Sequence, residues 1–233
     1  MKYLLLTTVG NNDKWYSNWY SGNRNFDVGL VCYEKQIEIK FRSDFFFWHI
    51  TDFKYPALHQ DIENNQWILE TYDYIFMPDD DVAISTEQIN KLFEWASHTF
   101  VHLSQPSIVS KNFTWPITIQ QLDCQYRWVK MVEIMCPMFS NFALNRCWHS
   151  FKESYSGWGL DAVWAKLLNY NKIAICDLVV ASHEKPMNEG GGRLYEKLRN
   201  EKGITDPRQE MQRLLQKYNA TLDFIEYGKV KRQ

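Results

Sequence analysis

The aromatic, apolar run Tyr72-Asp73-Tyr74-Ile75-Phe76-Met77-Pro78 ends directly in three aspartates, Asp79, Asp80 and Asp81. The run has the composition of a buried strand. Like charges packed this closely repel one another and are costly to desolvate, so at the mouth of such a strand they call for a divalent cation. Asp79 and Asp81 flank one residue, a spacing that lets two carboxylates at a strand end point toward one region while Asp80 turns elsewhere. Hard oxygen ligands suit Mg²⁺ or Mn²⁺, and such an ion can neutralise a diphosphate. The competing reading is a solvated acidic turn, or charge at a helix N-terminus interacting with the macrodipole.

What surrounds the acids favours an α/β sheet. Strand candidates recur at residues 3–9, 27–33, 74–77 and 173–180, with helical patterns between them. Ser85-Thr86-Glu87-Gln88 opens a helix: Ser85 can cap it, Gln88 falls at the capping-box position, and Ile89, Leu92, Phe93 and Ala96 supply an apolar face. The aspartates therefore lie in a strand-to-helix connection, and the crevice beyond the carboxyl ends of the strands is where open α/β sheets bind ligands. A second helix is expected over 161–168, after the loop Ser156-Gly157-Trp158-Gly159-Leu160. The strand from Ile173 runs into Ser182-His183-Glu184, and Gly190-Gly191-Gly192 predicts a mobile loop. Met211, Leu214 and Leu215 give residues 206–218 the period of a surface helix.

At 233 residues the chain has the length of one large domain. Its 26 Lys and Arg against 28 Asp and Glu give a net charge of −2, without the basic excess of a nucleic-acid binder. Aromatics make up 16%, with ten Trp, a surplus that can furnish flat faces for a sugar. Cys32, Cys124, Cys136, Cys147 and Cys176 are odd in number and widely spaced, which argues against a disulfide framework or zinc cage and suits a reducing, cytoplasmic setting. The apolar start, Tyr3 to Val9, is too short for a signal h-region and reads as a first strand. No stretch approaches the roughly 20 apolar residues of a membrane span.

Six further positions could carry chemistry. His183 ends a strand, and imidazole is a good Mn²⁺ donor, although a hydrogen-bonded histidine at a strand end is equally ordinary. Asp161 is either a first-turn acid of its helix or a carboxylate held rigidly enough to take a proton from an attacking hydroxyl. Trp158 beside it is either core or a stacking face for a sugar ring. Glu133 is a charge inside the apolar run 128–135 and needs a partner or a task, a partner being the default. Lys185 and Arg193, around the glycines, are a solvated basic loop or a clamp on phosphate.

Together these motifs resemble a metal-dependent nucleotide-sugar glycosyltransferase of the GT-A type, and more narrowly a family catalogued as a domain of unknown function. The resemblance is carried, in order over about residues 1 to 185, by Tyr72 to Asp81, Ile84-Ser85-Thr86, Gln105-Pro106-Ser107, Val132 to Phe139, Ser156 to Asp161, and Val180-Ala181-Ser182-His183. It implies one GT-A-like, Rossmann-like domain with a central mixed, mostly parallel sheet flanked by helices. Residues 1–105 would be mainly the nucleotide-sugar half, 106–192 mainly the acceptor and catalytic half, and 193–233 a helical tail.

The same resemblance implies that Asp79 and Asp81 bind the cation and donor diphosphate, that His183 completes the metal site, and that Asp80 lies against the donor. Thr7, Thr8, Val9, Asp27 and Lys54 fall in the donor region, Trp158 on the acceptor side, and Asp161 where inverting members carry their base. The implied reaction transfers a sugar from a nucleoside-diphosphate sugar, uridine-based, to a hydroxyl of an acceptor glycan. A nucleotidyltransferase and a cation-dependent glycan-binding module are the alternatives. Relatives commonly carry Arg-Pro after the histidine, where this chain has Glu184-Lys185-Pro186.

Overall fold

A computed structural model of the chain describes residues 1–10, 19, 22–33, 43–48, 53–183 and 192–232. Strand β1 (Tyr3–Val9) is buried on both faces, as its mostly apolar, uncharged sequence allows. It pairs in parallel with β2 (Asp27–Cys32) on one side and with β4 (Tyr74–Phe76) on the other, and β2 in turn pairs in parallel with β3 (Phe45–Trp48). Beyond β4 follow β8 (Met138–Ser140), β6 (Leu103–Ile108), β9 (Ile173–His183), β7 (Cys124–Val129) and β10 (Glu226–Lys231), giving the order β3-β2-β1-β4-β8-β6-β9-β7-β10. Within this order β8 and β7 run against the other strands. A short strand, β5 (Val82–Ala83), pairs with the far end of β9, setting Val82 opposite His183.

Alternation along the strands divides the core between the two faces of the sheet. Leu4, Leu6, Ile75 and Met77 point to one side, where they meet α1 (Lys54–Asn64), α2 (Trp67–Thr71), α4 (Asn141–Cys147), α5 (Leu160–Leu167) and Leu214 of α7 (Arg208–Tyr218). Leu5, Val9, Tyr74 and Phe76 point to the other, against Ile89, Leu92, Phe93 and Ala96 of α3 (Thr86–Thr99). The expected apolar face of α3 is thus the buried one. Much of the aromatic surplus is core: Trp164 is fully buried and meets Tyr55 and Phe139 at ring-centroid distances of 5.3 and 5.0 Å. Among the described residues no helix is long and apolar enough to cross a membrane.

Two local expectations change. Ser85 caps α3 by accepting from the Gln88 amide, but the Gln88 side chain does not close a capping box; its Oε1 accepts from Val180 N at 3.0 Å and ties α3 to β9. The tail is helical through α6 (Arg193–Lys202) and α7, but it then returns as β10 to extend the sheet along β7. Lys185, Gly190 and Gly191 lie outside the described residues.

Candidate active site

The chain leaves β1 toward β2 and β3, then crosses to the opposite side of β1 for β4, so the carboxyl ends of β1 and β4 bound the crevice where the strand order reverses. The three aspartates sit at this edge. Asp79 N donates to Met135 O at 2.7 Å and Val82 N to Asp79 O at 3.2 Å, which fixes the acidic turn against the segment leading into β8. The Thr7 hydroxyl donates to Pro78 O from the end of β1, where Thr8 and Val9 are also buried.

Asp80 turns away from its neighbours, as the spacing predicts, whereas Asp79 and Asp81, expected to face one region, hold different partners. Asp79 Oδ1 accepts from Lys54 Nζ at 2.6 Å. Desolvation raises its carboxyl above the usual range even though Lys54 opposes the shift. Asp80 Oδ2 accepts from Tyr33 OH at 2.9 Å, at the end of β2. Asp81 Oδ2 lies 3.4 Å from His183 Nε2, a pair aligned by the Val82–His183 register. Burial works against the imidazolium, but Asp81, Asp79 and Glu133 outweigh it and raise the His183 pKa.

Glu133 and Asp161 close the group from the other half of the chain. Glu133 is 6% exposed; Gln105 Oε1 accepts from its backbone N–H at 2.6 Å, and its Oε2 has no partner among the described residues. Burial, opposed by a Thr114 hydrogen bond and reinforced by Asp79, pushes its carboxyl up to about 7. The partner that a buried acid is expected to have is therefore missing for one oxygen.

Asp161 enters the first turn of α5 behind Gly157 and Gly159, both left-handed at φ 82 and 88. Its Oδ1 accepts from Ala162 N at 2.9 Å, so it serves its own helix. Burial, opposed by that bond and reinforced by Glu133, still lifts its carboxyl to about 7. Tyr55 stands among these acids: its OH donates to Ile134 O at 2.5 Å, and Asp79, Asp161 and Glu133 all add to the effect of burial in raising its pKa.

Asp79, Asp81, Glu133, Asp161 and His183 thus share one electrostatic neighbourhood, assembled from both halves of the chain. Asp27 does not belong to it. Paired with Leu4 near the start of β1, it lies about 16 Å of strand from the carboxyl edge, and its Oδ2 accepts from Tyr72 OH at 2.8 Å. A residue at the amino end of β2 faces the wrong rim of the sheet, so Asp27 is withdrawn from the donor set. Lys54 is in the group but is turned onto Asp79. Trp158 is half-buried in the loop before α5, and its backbone N–H donates to Ser156 Oγ at 3.2 Å.

Sequence reasoning missed Tyr55, Tyr33 and Gln105. Tyr55 is adjacent to Lys54 and Gln105 opens a motif already singled out, but Tyr33 carries no local signal because its role depends on strand order. Among the described residues no three His, Cys, Asp or Glu side chains converge closely enough to hold a metal ion. The donor chemistry nevertheless suits a hard divalent ion, with two carboxylates, an imidazole, and a buried His183 Nδ1 that has no partner among the described residues.

Sheet, flanking helices and crevice place the molecule in a known structural class. Its fold is similar to that of S. aureus TarS. The structure of TarS 1-349 in complex with UDP matches at 12% identity with a TM-score of 0.56, over 96% of this chain and 67% of that one. A second structure of TarS 1-349 matches at 11% identity and TM-score 0.52, over 78% of this chain and 60% of that one. A further TarS structure matches at 11% identity and TM-score 0.54, over 92% of this chain and 43% of that one. By sequence, the chain belongs to the family described as "Protein of unknown function (DUF707)", whose profile matches residues 35–223. No curated protein matches it.

Proposed function

We propose that this chain is a metal-dependent glycosyltransferase that moves a sugar from a nucleoside-diphosphate sugar, a uridine-based one, onto a hydroxyl of an acceptor glycan. The observation that carries this reading is the gathering of Asp79, Asp81, Glu133, Asp161 and His183 at the crevice between β1 and β4, where Lys54 is the compensating permanent cation seen among the described residues. The fold it shares with TarS, a structure of which holds UDP, supports the choice of donor.

Asp79, Asp81 and His183 are the residues that would hold Mn²⁺ or Mg²⁺. Bound there, the ion would supply charge neutralisation for the leaving diphosphate. Asp80, turned toward β2, faces the nucleoside side, with Thr7, Thr8 and Val9 forming the end of β1 beneath it. Asp161 is the base: a carboxyl lifted to about 7 is poised to take a proton near neutral pH. The acceptor oxygen loses its proton to Asp161 and forms a bond to the anomeric carbon as the bond from that carbon to the diphosphate oxygen breaks. Glu133 keeps the Asp161 carboxyl basic through their shared negative field, and Trp158 borders the acceptor side. Five free, buried cysteines accord with a reducing, cytoplasmic setting.

The reading is tested by screening UDP-, GDP- and TDP-sugars with and without Mn²⁺, measuring melting temperature and release of nucleoside diphosphate. A donor at 100 times its dissociation constant adds about 2.7 kcal/mol, a shift of roughly 5–10 °C for a domain of this size. The shift should require Mn²⁺ and disappear in Asp81→Ala, which truncates a turn residue whose side chain is 18% exposed and leaves the fold intact. A flat response to every donor overturns the assignment.

A further inference from the structure

Lys54, expected to face the donor, is instead held by the protein. Its ammonium lies 2.6 Å from Asp79 Oδ1 and 2.8 Å from Met77 O, with Ile134 O and Met135 O at 3.4 and 3.5 Å. The side chain is only 13% exposed, and Nζ sits 5.1 Å from the centre of the Tyr55 ring. An ammonium has three protons to give and no acceptor capacity. Two short bonds and a pair of longer carbonyl contacts use that capacity up, and the ring adds a cation–π contribution.

Two separate segments build this oxygen cage around the first residue of α1: the end of β4 with its acidic turn, and residues 134–135 leading into β8. Such a cage is costly to assemble around a charge that merely decorates the surface. Its effect on the acids is direct, because it claims one oxygen of Asp79 and lowers the negative charge that an arriving cation meets.

We propose that Lys54 is a resident cation of the acid cluster, which weakens the binding of a bare divalent ion so that the ion enters together with the donor diphosphate. This rests on the metal-dependent reading above. A lone divalent ion approaching Asp81 and the other oxygen of Asp79 is repelled by the fixed ammonium. An ion already carried by a diphosphate brings negative charge that the ammonium attracts. Lys54 is therefore a positioning residue, acting through Asp79, and it makes metal and nucleotide binding mutually dependent.

The test is titration of Mn²⁺, followed by its electron paramagnetic resonance signal, into the whole chain with and without UDP. For the unaltered chain, Mn²⁺ alone should bind weakly, and UDP should tighten it by about tenfold or more, a coupling within the usual range for linked sites. Lys54→Gln keeps an amide donor for the carbonyl oxygens but removes the charge. It should bind Mn²⁺ alone about tenfold tighter, in keeping with charge interactions at a few ångströms in a partly shielded site, and should lose most of the UDP coupling. Lys54→Arg should restore both. Unchanged or weaker Mn²⁺ binding by a folded Lys54→Gln overturns the proposal, and so does independent binding of Mn²⁺ and UDP by the unaltered chain, which needs no variant. Absence of Mn²⁺ binding to the unaltered chain, even with UDP, overturns the metal reading itself and the role of Lys54 with it.

Discussion

Strand β9 carries two buried charged pairs six residues apart, and they are built to opposite ends. Midway along it, Asp177 is fully buried and meets Arg127 of β7 through Nε at 2.8 Å and Nη2 at 3.1 Å. Asp177 Oδ1 also accepts from Gln121 N at 2.9 Å, and the guanidinium donates onward to Ile117 O and Ile119 O at 2.7 and 2.9 Å. The planar fork of arginine matches the carboxylate, and the charges cancel within the pair.

At the end of the same strand, His183 faces Asp81 at 3.4 Å, and among the described residues Asp79, Glu133 and Asp161 stand around them with Lys54. There, Glu133 Oε2 and His183 Nδ1 have no partners among the described residues. A closed pair holds the sheet together; an open one carries stored electrostatic demand that a ligand can meet. Burial of charge marks function only where the compensation is incomplete.

The largest expected effect lies at the closed pair. Arg127→Ala leaves a buried, uncompensated carboxylate and should cost about 3–5 kcal/mol, read from the denaturant midpoint; a loss under about 1 kcal/mol would erase the contrast. Next, Asp161→Asn at the open cluster should lower transfer by about 100-fold or more while moving the melting temperature little, so kinetics and unfolding must separate.

Glu133 yields a smaller effect with a sign. With folded-state carboxyls at about 7 for both Glu133 and Asp161, the folded chain keeps protons that the unfolded chain has already released below that pH. Stability of the ligand-free protein should therefore be greatest in mild acid and fall as pH rises toward 7. Glu133→Gln should flatten part of that slope, gaining about 1 kcal/mol at pH 8 and nothing at pH 5. Smallest is Tyr33→Phe, which removes one hydrogen bond to Asp80 and should weaken donor binding by about 0.5–1.5 kcal/mol, measured calorimetrically.

The contrast also explains what the sequence could show. The β1 strand, the capped helix after the acids and the turning of Asp80 away from its neighbours were legible because each is set by residues within a few positions of one another. Asp27 misled because an acid on a predicted strand reveals nothing about which end of the sheet it occupies; the Leu4–Asp27 register decides that. Lys54 could be located but not oriented, since its cage is made of backbone carbonyls from segments some 20 and 80 residues away. The Arg127–Asp177 pair was invisible, as neither residue lies in an unusual local pattern. β10 was hidden too, because its alternation of polar residues lacks the apolar signature of a core strand.

Gly159 brings the backbone before Asp161 against α7. Besides its left-handed φ, a Cβ there would stand 3.0 Å from the Met211 Cα, a backbone atom that no rotamer change can move aside. In terms of tolerance to sequence change, the position is doubly closed: any replacement would both strain the turn and push α7 away. A lineage carrying this fold can exchange the outward residues of α7 freely, yet it can alter position 159 only by re-seating the helix, and with it the loop from which Asp161 emerges.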